Sequence, residues 1–414
     1  MEKLRILISA HDFSPQEPPG IYSMGGRLAW KIVEQISQEY EISVITHAKN
    51  REKVMEALGE GALPKVSISF VEMPRLWSRI LSTDAGKNWE HLLWQKKALQ
   101  LARWLHQENR FDAAHQLTPR CDWLPSYIGA FLPVPFIWGP LGRGEKALST
   151  VQKWEQRSHI WKKCSERAAA ILVNNQESKA LFPDRFWKKI QFFPWGGISQ
   201  SEFPEAKKRV PEHQPFRIIS ASLTPQNQNL DHVLKAYQYF SNTYSDSQLQ
   251  ILCQNGSRSR ILEMVSGLGL EEHVELLAWM PRLELRQMFR SGDIFVSLDT
   301  DADGASLFID AMSSGLPVVG LDEGDPGVLI QEGWGEKISA DDPPRIASAV
   351  AQSLERLFKE KIMRRKLGRA ARKNVKDNYL WESLGRKLSE LYAEHFLQEE
   401  SIRFTSQGEG RFFY

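Results

Sequence analysis

Cysteine is scarce in this chain of 414 residues: Cys121, Cys164 and Cys253 lie far apart, with no CxxC and no Cys/His spacing. That excludes a disulfide framework, argues against a structural metal and fits a reducing compartment, so a cytoplasmic protein is expected. An excess of either charge is also lacking, because 53 basic and 51 acidic residues leave a formal net charge of +2. Nothing in that balance calls for nucleic acid, and no nucleic-acid partner is expected. Long apolar runs are missing as well. The opening MEKLRILISAHDF holds an apolar run too short for a secretion signal and reads as a first buried strand. The most apolar longer stretch, Tyr127 to Gly142, contains Pro133, Pro135 and Pro140, which forbid an unbroken membrane-spanning helix.

What the chain does contain is enough apolar material, 42% of residues, to fill two cores. The pattern predicts strands at 4–9, 42–46, 66–72, 111–117, 135–138, 170–173 and 190–193, with helices near 27–37, 89–107 and 153–167 between them. Residues 199–215, SQSEFPEAKKRVPEHQP, lose apolar periodicity and carry three prolines, the composition of a linker. The alternation then restarts, with strands at 216–221, 248–253, 274–277, 293–297 and 317–319 and helices at 229–240, 259–267, 283–289 and 305–314. Three helices close the chain, at 344–358, 360–376 and 381–396. Basic stretches there, KEKIMRRK and RAARK, recur at helical spacing and read as a solvated face. The class is α/β, with parallel sheets covered on both faces and a ligand expected between two similar halves.

Three places carry chemistry. The stretch Val296 to Gly320, VSLDTDADGASLFIDAMSSGLPVVG, reads as strand, acidic loop, helix and strand. Asp303 stands at the helix N-cap, and Gly304 has no Cβ to keep a ligand from the free N–H groups of the first turn, which suits a phosphate. Asp310, nearly two turns on, falls on almost the same face; the plainer reading is a capped helix with one solvated carboxylate. Asp299, Asp301 and Asp303 alternate as a cation site would, but a cation just before a helix N-terminus opposes the dipole, so no metal is expected. Gly25 and Gly26 open the first helix after a long proline- and glycine-rich loop. Their amides can approach a phosphate or sugar, or the pair simply makes a tight turn, since no GxGxxG is present. His115 ends the strand FDAAHQL on the side where open α/β sheets bind ligands, although a lone histidine also serves as a hydrogen-bonded core residue.

On these residues the chain resembles the retaining, nucleotide-sugar-dependent glycosyltransferases of family four. The likeness rests on Gly25-Gly26, FDAAHQL, PWGGI (Pro194 to Ile198), HVELLAWMPRLELRQMF, DIFVSL, IDAMSSGLPVVG and NYLWESLGRKLSELYAEHF. It implies a GT-B fold, two Rossmann-like domains with parallel sheets facing across a cleft. Residues 1–200 would form the acceptor-side domain, joined by the returning helix 380–398; 201–215 would be the linker, 216–379 the donor domain and 399–414 a tail.

The same resemblance implies site residues. Asp310 would grip the donor ribose, and the preceding family acid falls at Ala302 or Asp303, with Asp303 favoured by its glycine neighbour. Gly25, Gly26, Gly304, Ala305, Ser306 and Leu307 would surround the donor phosphates and sugar, Ala278, Trp279 and Met280 the base, and His115 the transferred sugar. The family's Arg/Lys diphosphate clamp is missing from ASLTPQNQN, leaving Arg27, Arg143 and Lys146 as replacements, and Val328 stands where a further acid belongs. The implied function is transfer of a sugar from a nucleoside diphosphate sugar, with retention, to a glycan or lipid-linked acceptor in polysaccharide biosynthesis. No cofactor beyond the donor is implied, and a peripheral contact at the inner face of a membrane is left open. A silent subunit of the same fold, binding a nucleotide sugar or a partner protein, is the alternative; a sugar-phosphate-processing relative of the same architecture is the runner-up among enzymes.

Overall fold

The computed structural model describes residues 3–16, 25–73, 84–119, 121, 124–142, 158–205, 215–222, 229–253, 255–300 and 302–397. The chain divides into two compact units. Gly25–Pro194, with the N-terminal strand and the chain from Trp381, makes the first, and Trp195–Leu380 the second.

The first unit is built on seven parallel strands: β1 Arg5–Ala10, β2 Glu41–His47, β3 Val66–Val71, β4 Ala113–Thr118, β5 Phe136–Leu141, β6 Ala168–Val173 and β7 Ile190–Phe192. Their order is β3-β2-β1-β4-β5-β6-β7, so the direction of travel reverses between β1 and β4. Ligands of open α/β sheets bind at the carboxyl ends of the strands at such a point. β4 and β5 are buried at every position, and β1 at five of six. Burial without alternation is what a sheet covered on both faces requires. The helix Gly25–Ile36 covers one face with Leu28, Ile32 and Ile36 on an i, i+4 stripe. Each such side chain removed from water stabilises by ~1.5–3 kcal/mol. The C-terminal helix Trp381–Tyr392 lies against it so closely that a Cβ at Gly385 would stand 2.4 Å from Gln35 Cβ.

The second unit repeats the plan with β8 Phe216–Ser222, β9 Ser247–Cys253, β10 Val274–Ala278, β11 Ile294–Val296, β12 Val318–Leu321 and β13 Gly335–Ile338, all parallel. The order β10-β9-β8-β11-β12-β13 puts its reversal between β8 and β11. From the carboxyl end of β11 the chain enters the helix Ala302–Ser313. That helix stops in a Schellman turn: the N–H groups of Leu316 and Gly315 donate to the carbonyls of Ala311 and Met312, and Gly315 has φ +83°.

The long strands and helices lie where apolar periodicity predicts them. Among the short elements not anticipated are the helices Arg51–Gly59, Tyr127–Phe131 and Gly324–Leu329, and β13. β13 reads GEKI and buries only Glu336 and Ile338, so neither its length nor its composition announces a strand. The helix expected from Ala305 begins at Ala302, which moves Asp303 from the cap into the first turn. Asp301 and the side chains of Ala302 and Asp303 lie outside the described residues, as do Arg143, Lys146, the segments 206–214 and 223–228 and the tail from 398. Among the described residues no helix is long and apolar enough to cross a membrane.

Candidate functional site

The densest polar array of the second unit is centred on Asp310. Ser306 and Asp310 lie one turn apart on the helix Ala302–Ser313, and Arg282 and Arg286 lie one turn apart on the helix Arg282–Ser291, so two side chains from each helix face one another. Arg282 Nη1 donates to Asp310 Oδ2 at 2.9 Å and Nη2 to Ser306 Oγ at 3.0 Å. Arg286 Nε donates to Asp310 Oδ1 at 3.0 Å, while its Nη1 reaches the main-chain carbonyl of Glu202 at 3.2 Å. Asp310 is wholly buried and Arg286 nearly so. Desolvating these charges costs several kcal/mol per ion, and the ion pairing and hydrogen bonds offset it. Removing Asp310 would take from both guanidinium groups the carboxylate they share.

This geometry corrects the plainer sequence reading of Asp310, which is no solvated carboxylate. Its two oxygens each accept from a guanidinium. Within this helix Gly304, Ala305, Ser306 and Leu307 are all buried. Gly196 of PWGGI lies against this helix: a Cβ there would meet Ile309 Cδ1 at 2.9 Å and Ser306 Oγ at 3.5 Å. Ala278 ends β10 exposed, and Trp279 and Met280 are half-buried just ahead of Arg282. Thus the structure gathers Ser306, Asp310 and Gly196 of PWGGI, and adds Arg282 and Arg286, to which sequence reading assigned no role. Their i, i+4 spacing after AWMP was the available signal. Arg27, one of the proposed clamp replacements, lies in the helix Gly25–Ile36 of the first unit.

In the first unit, Gly25 is buried at the helix start, and a Cβ at Gly26 would stand 3.3 Å from Ser14, whose N–H donates to Gly26 O at 3.1 Å. His115 sits in the middle of the sheet, in register with Ile8 on β1 and Ile137 on β5. Its ring is fully buried, with Nδ1 2.6 Å from Tyr392 Oη and Nε2 2.6 Å from the Gly139 carbonyl. Burial lowers its pKa to about 4, so the neutral ring donates through Nε2–H to Gly139 and accepts the Tyr392 hydroxyl proton at Nδ1. Both nitrogens are therefore engaged within the unit, and His115 ties the C-terminal helix to the centre of the sheet.

A second cluster gathers at the carboxyl ends of β1 and β2. His11 and His91 have ring centroids 3.8 Å apart, and His47 lies 5.1 Å from His11. His11 Nδ1 is 3.2 Å from Asp12 Oδ1, which also takes Lys49 Nζ at 2.8 Å. Burial depresses the His11 pKa and outweighs the opposing pull of Asp12. Burial also works to raise the Asp12 pKa, but His11 and Lys49 hold this carboxyl well below the usual carboxylate range. The neutral His11 ring thus donates Nδ1–H to Asp12, and its Nε2 lone pair is buried with no hydrogen-bond partner among the described residues. Leaving such a group unsatisfied costs ~1–3 kcal/mol. Sequence reading saw none of this, because positions 11, 12, 47 and 91 have no ligand-like spacing.

Residues 200–374 match the family model described as "Glycosyl transferases group 1". A GDP-mannose-dependent alpha-(1-6)-phosphatidylinositol monomannoside mannosyltransferase of Mycolicibacterium smegmatis is 24% identical over 292 residues, covering 64% of this chain and 75% of the relative. The UDP-N-acetylglucosamine–peptide N-acetylglucosaminyltransferase GtfA subunit of Streptococcus parasanguinis is 21% identical over 210 residues, 47% of this chain; the match spans 39% of that relative's length. The crystal structure of a glycosyltransferase from Rickettsia africae superposes with a TM-score of 0.66 at 15% identity, over 95% of this chain and 99% of its own. The chain is thus a protein of two Rossmann-like units with the GT-B fold, and the match to the group 1 glycosyl transferases model falls on its second unit.

Proposed function

We propose that this protein is a glycosyltransferase that moves a sugar from a nucleoside diphosphate sugar, with retention of configuration, to a glycan or lipid-linked glycan. The observation that carries the reading is the Arg282–Ser306–Asp310–Arg286 array on the helix Ala302–Ser313, inside the region that matches the group 1 family. The relatives that share sequence with the chain are named for nucleoside diphosphate sugar donors, one a UDP and one a GDP derivative.

In this reading the diphosphate rests at the N-terminal end of that helix, beside Gly304 to Leu307, where the free backbone N–H groups and the dipole favour an anion. Arg282, aimed by Asp310 and Ser306, supplies the cation that the loop after β8 lacks in sequence. Preorganised positive charge beside a departing diphosphate is often worth several kcal/mol of barrier. Trp279 and Met280 border the base, and Asp310 acts on the ribose through the hydrogen-bonded surface it makes with Ser306 and Arg282. Asp303 is proposed to complete the donor shell of the second unit, Gly25 and Gly26 are proposed ligand contacts of the first, and transfer needs no metal.

A silent subunit that only binds the nucleotide sugar is the second reading, and the absent Arg/Lys clamp favours it. Calorimetry with UDP, GDP and ADP, followed by turnover of the matching sugar donors, tests both. One nucleotide binding to the wild type, weakened roughly tenfold or more in Arg282→Ala, supports the site. Donor turnover then selects the enzyme over the subunit. Failure of every nucleotide and nucleotide sugar to bind would overturn the proposal.

A further inference from the structure

We propose that His11, Asp12 and His91 in the first unit form a binding site for one divalent transition-metal ion of the zinc class. One nitrogen from each imidazole and one Asp12 oxygen already lie within 4.8 Å of one another. Ligands ~2.1 Å from a tetrahedral zinc stand about 3.4 Å apart, so side-chain rotations suffice to close the set. The ring pair, 3.8 Å apart and tilted by 32°, has to splay as the ion enters. His91 is only half-buried on the long helix Asp84–Asn109 and has room to do so.

The donor chemistry selects the ion. Two imidazoles with one carboxylate suit zinc, cobalt or nickel, whereas magnesium and calcium prefer oxygen alone. Neutral imidazole is the ligating form. The buried His11 lone pair without a partner among the described residues is the group that an ion would satisfy.

Neighbouring groups are placed as outer partners. His47 Nδ1 accepts the Lys49 main-chain N–H at 2.8 Å, which puts the ring proton on Nε2, 3.3 Å from Glu90 Oε1. The half-exposed Lys49 ammonium holds Asp12 Oδ1, leaving the other oxygen for the ion. Three protein ligands leave a fourth position for water or a ligand hydroxyl, the pattern of an open site. The cluster belongs to the first unit and the proposed donor array to the second, so the two can be tested separately.

The test uses the full chain, stripped with chelator and then titrated with Zn²⁺ by calorimetry and with Co²⁺ by visible absorption. We expect one equivalent of each, d–d bands for Co²⁺, and shifts in the ring signals of two of the ten histidines on Zn²⁺ addition. His91→Gln and Asp12→Asn should each weaken binding about 10–100-fold, while His232→Gln in the second unit binds as wild type does. Stoichiometric binding that these two variants lose, with circular dichroism unchanged, establishes the site. No wild-type binding below about 100 μM metal, no histidine shift, or binding that both variants retain would overturn it, whatever the outcome of the nucleotide experiments.

Discussion

At the scale of single residues, His115 shows how one side chain can serve packing while occupying a position suited to chemistry. Its nitrogens bridge Tyr392 and Gly139. His115→Ala removes both bonds and opens a cavity, and is expected to destabilise the fold by ~2–4 kcal/mol; Tyr392→Phe should cost ~1–2 kcal/mol. Urea denaturation checks both, and an unchanged midpoint for His115→Ala would refute the bridging role. A tenfold or larger fall in kcat in a folded His115→Gln variant would add the proposed sugar contact to it. The buried histidines also set the acid limb of stability. His115 and His47 titrate at about 4 when folded against 6.5 ordinarily, with burial the leading cause in each. The unfolded chain therefore binds more protons between these values, so stability falls as pH drops from about 6.5 towards 4, by on the order of 3 kcal/mol for His115 alone. Equal denaturation midpoints at pH 7 and pH 5 would contradict this. At Asp310, replacement by Ala takes from Arg282 and Arg286 the buried carboxylate they share, for an expected loss of ~3–5 kcal/mol of stability. A destabilisation under ~1 kcal/mol would show that solvent reaches the arginines more freely than their burial implies.

At the scale of elements, the helix Ala302–Ser313 is held at both ends by groups of different legibility. Its exit is written in the chain: Gly315 followed by Leu316 and Pro317 is a helix stop, and the Schellman bonds form there. Its lateral seating is not. The helix Lys361–Asn378 crosses the stop so closely that a Cβ at Gly368 would stand 2.2 Å from the Gly315 carbonyl oxygen. Backbone cannot yield as a flexible side-chain tip can, so Gly368→Ala is expected to cost ~1–3 kcal/mol and to lower the melting temperature measurably. A neutral result would mean that the helix shifts freely. No sequence rule distinguishes Gly368 from the other glycines, because its demand arises from a partner some fifty positions away in the chain.

At the scale of the whole molecule, a nucleotide bound to the native second unit must stabilise it by mass action. Nucleoside diphosphate at a hundred times its Kd should add ~2.7 kcal/mol to that unit, seen in calorimetric scanning as an upward shift of the transition in which the second unit unfolds. A shift that is equally large in Arg282→Ala would move the site elsewhere. What the sequence by itself determined was the α/β class, the two halves and the strands of both sheets other than β13. Each of these depends on periodicity within ten or twenty neighbouring residues, and that signal is local. Short elements such as β13 were lost because four residues carry no period. Tertiary structure alone decided the partners of the charged and titratable groups: Asp310 with Arg282 and Arg286, His115 with Tyr392, and His11 with His91. Burial and hydrogen-bonding opportunity are set by what the fold brings alongside a residue, and the chain order of residues 115 and 392 says nothing of their 2.6 Å contact.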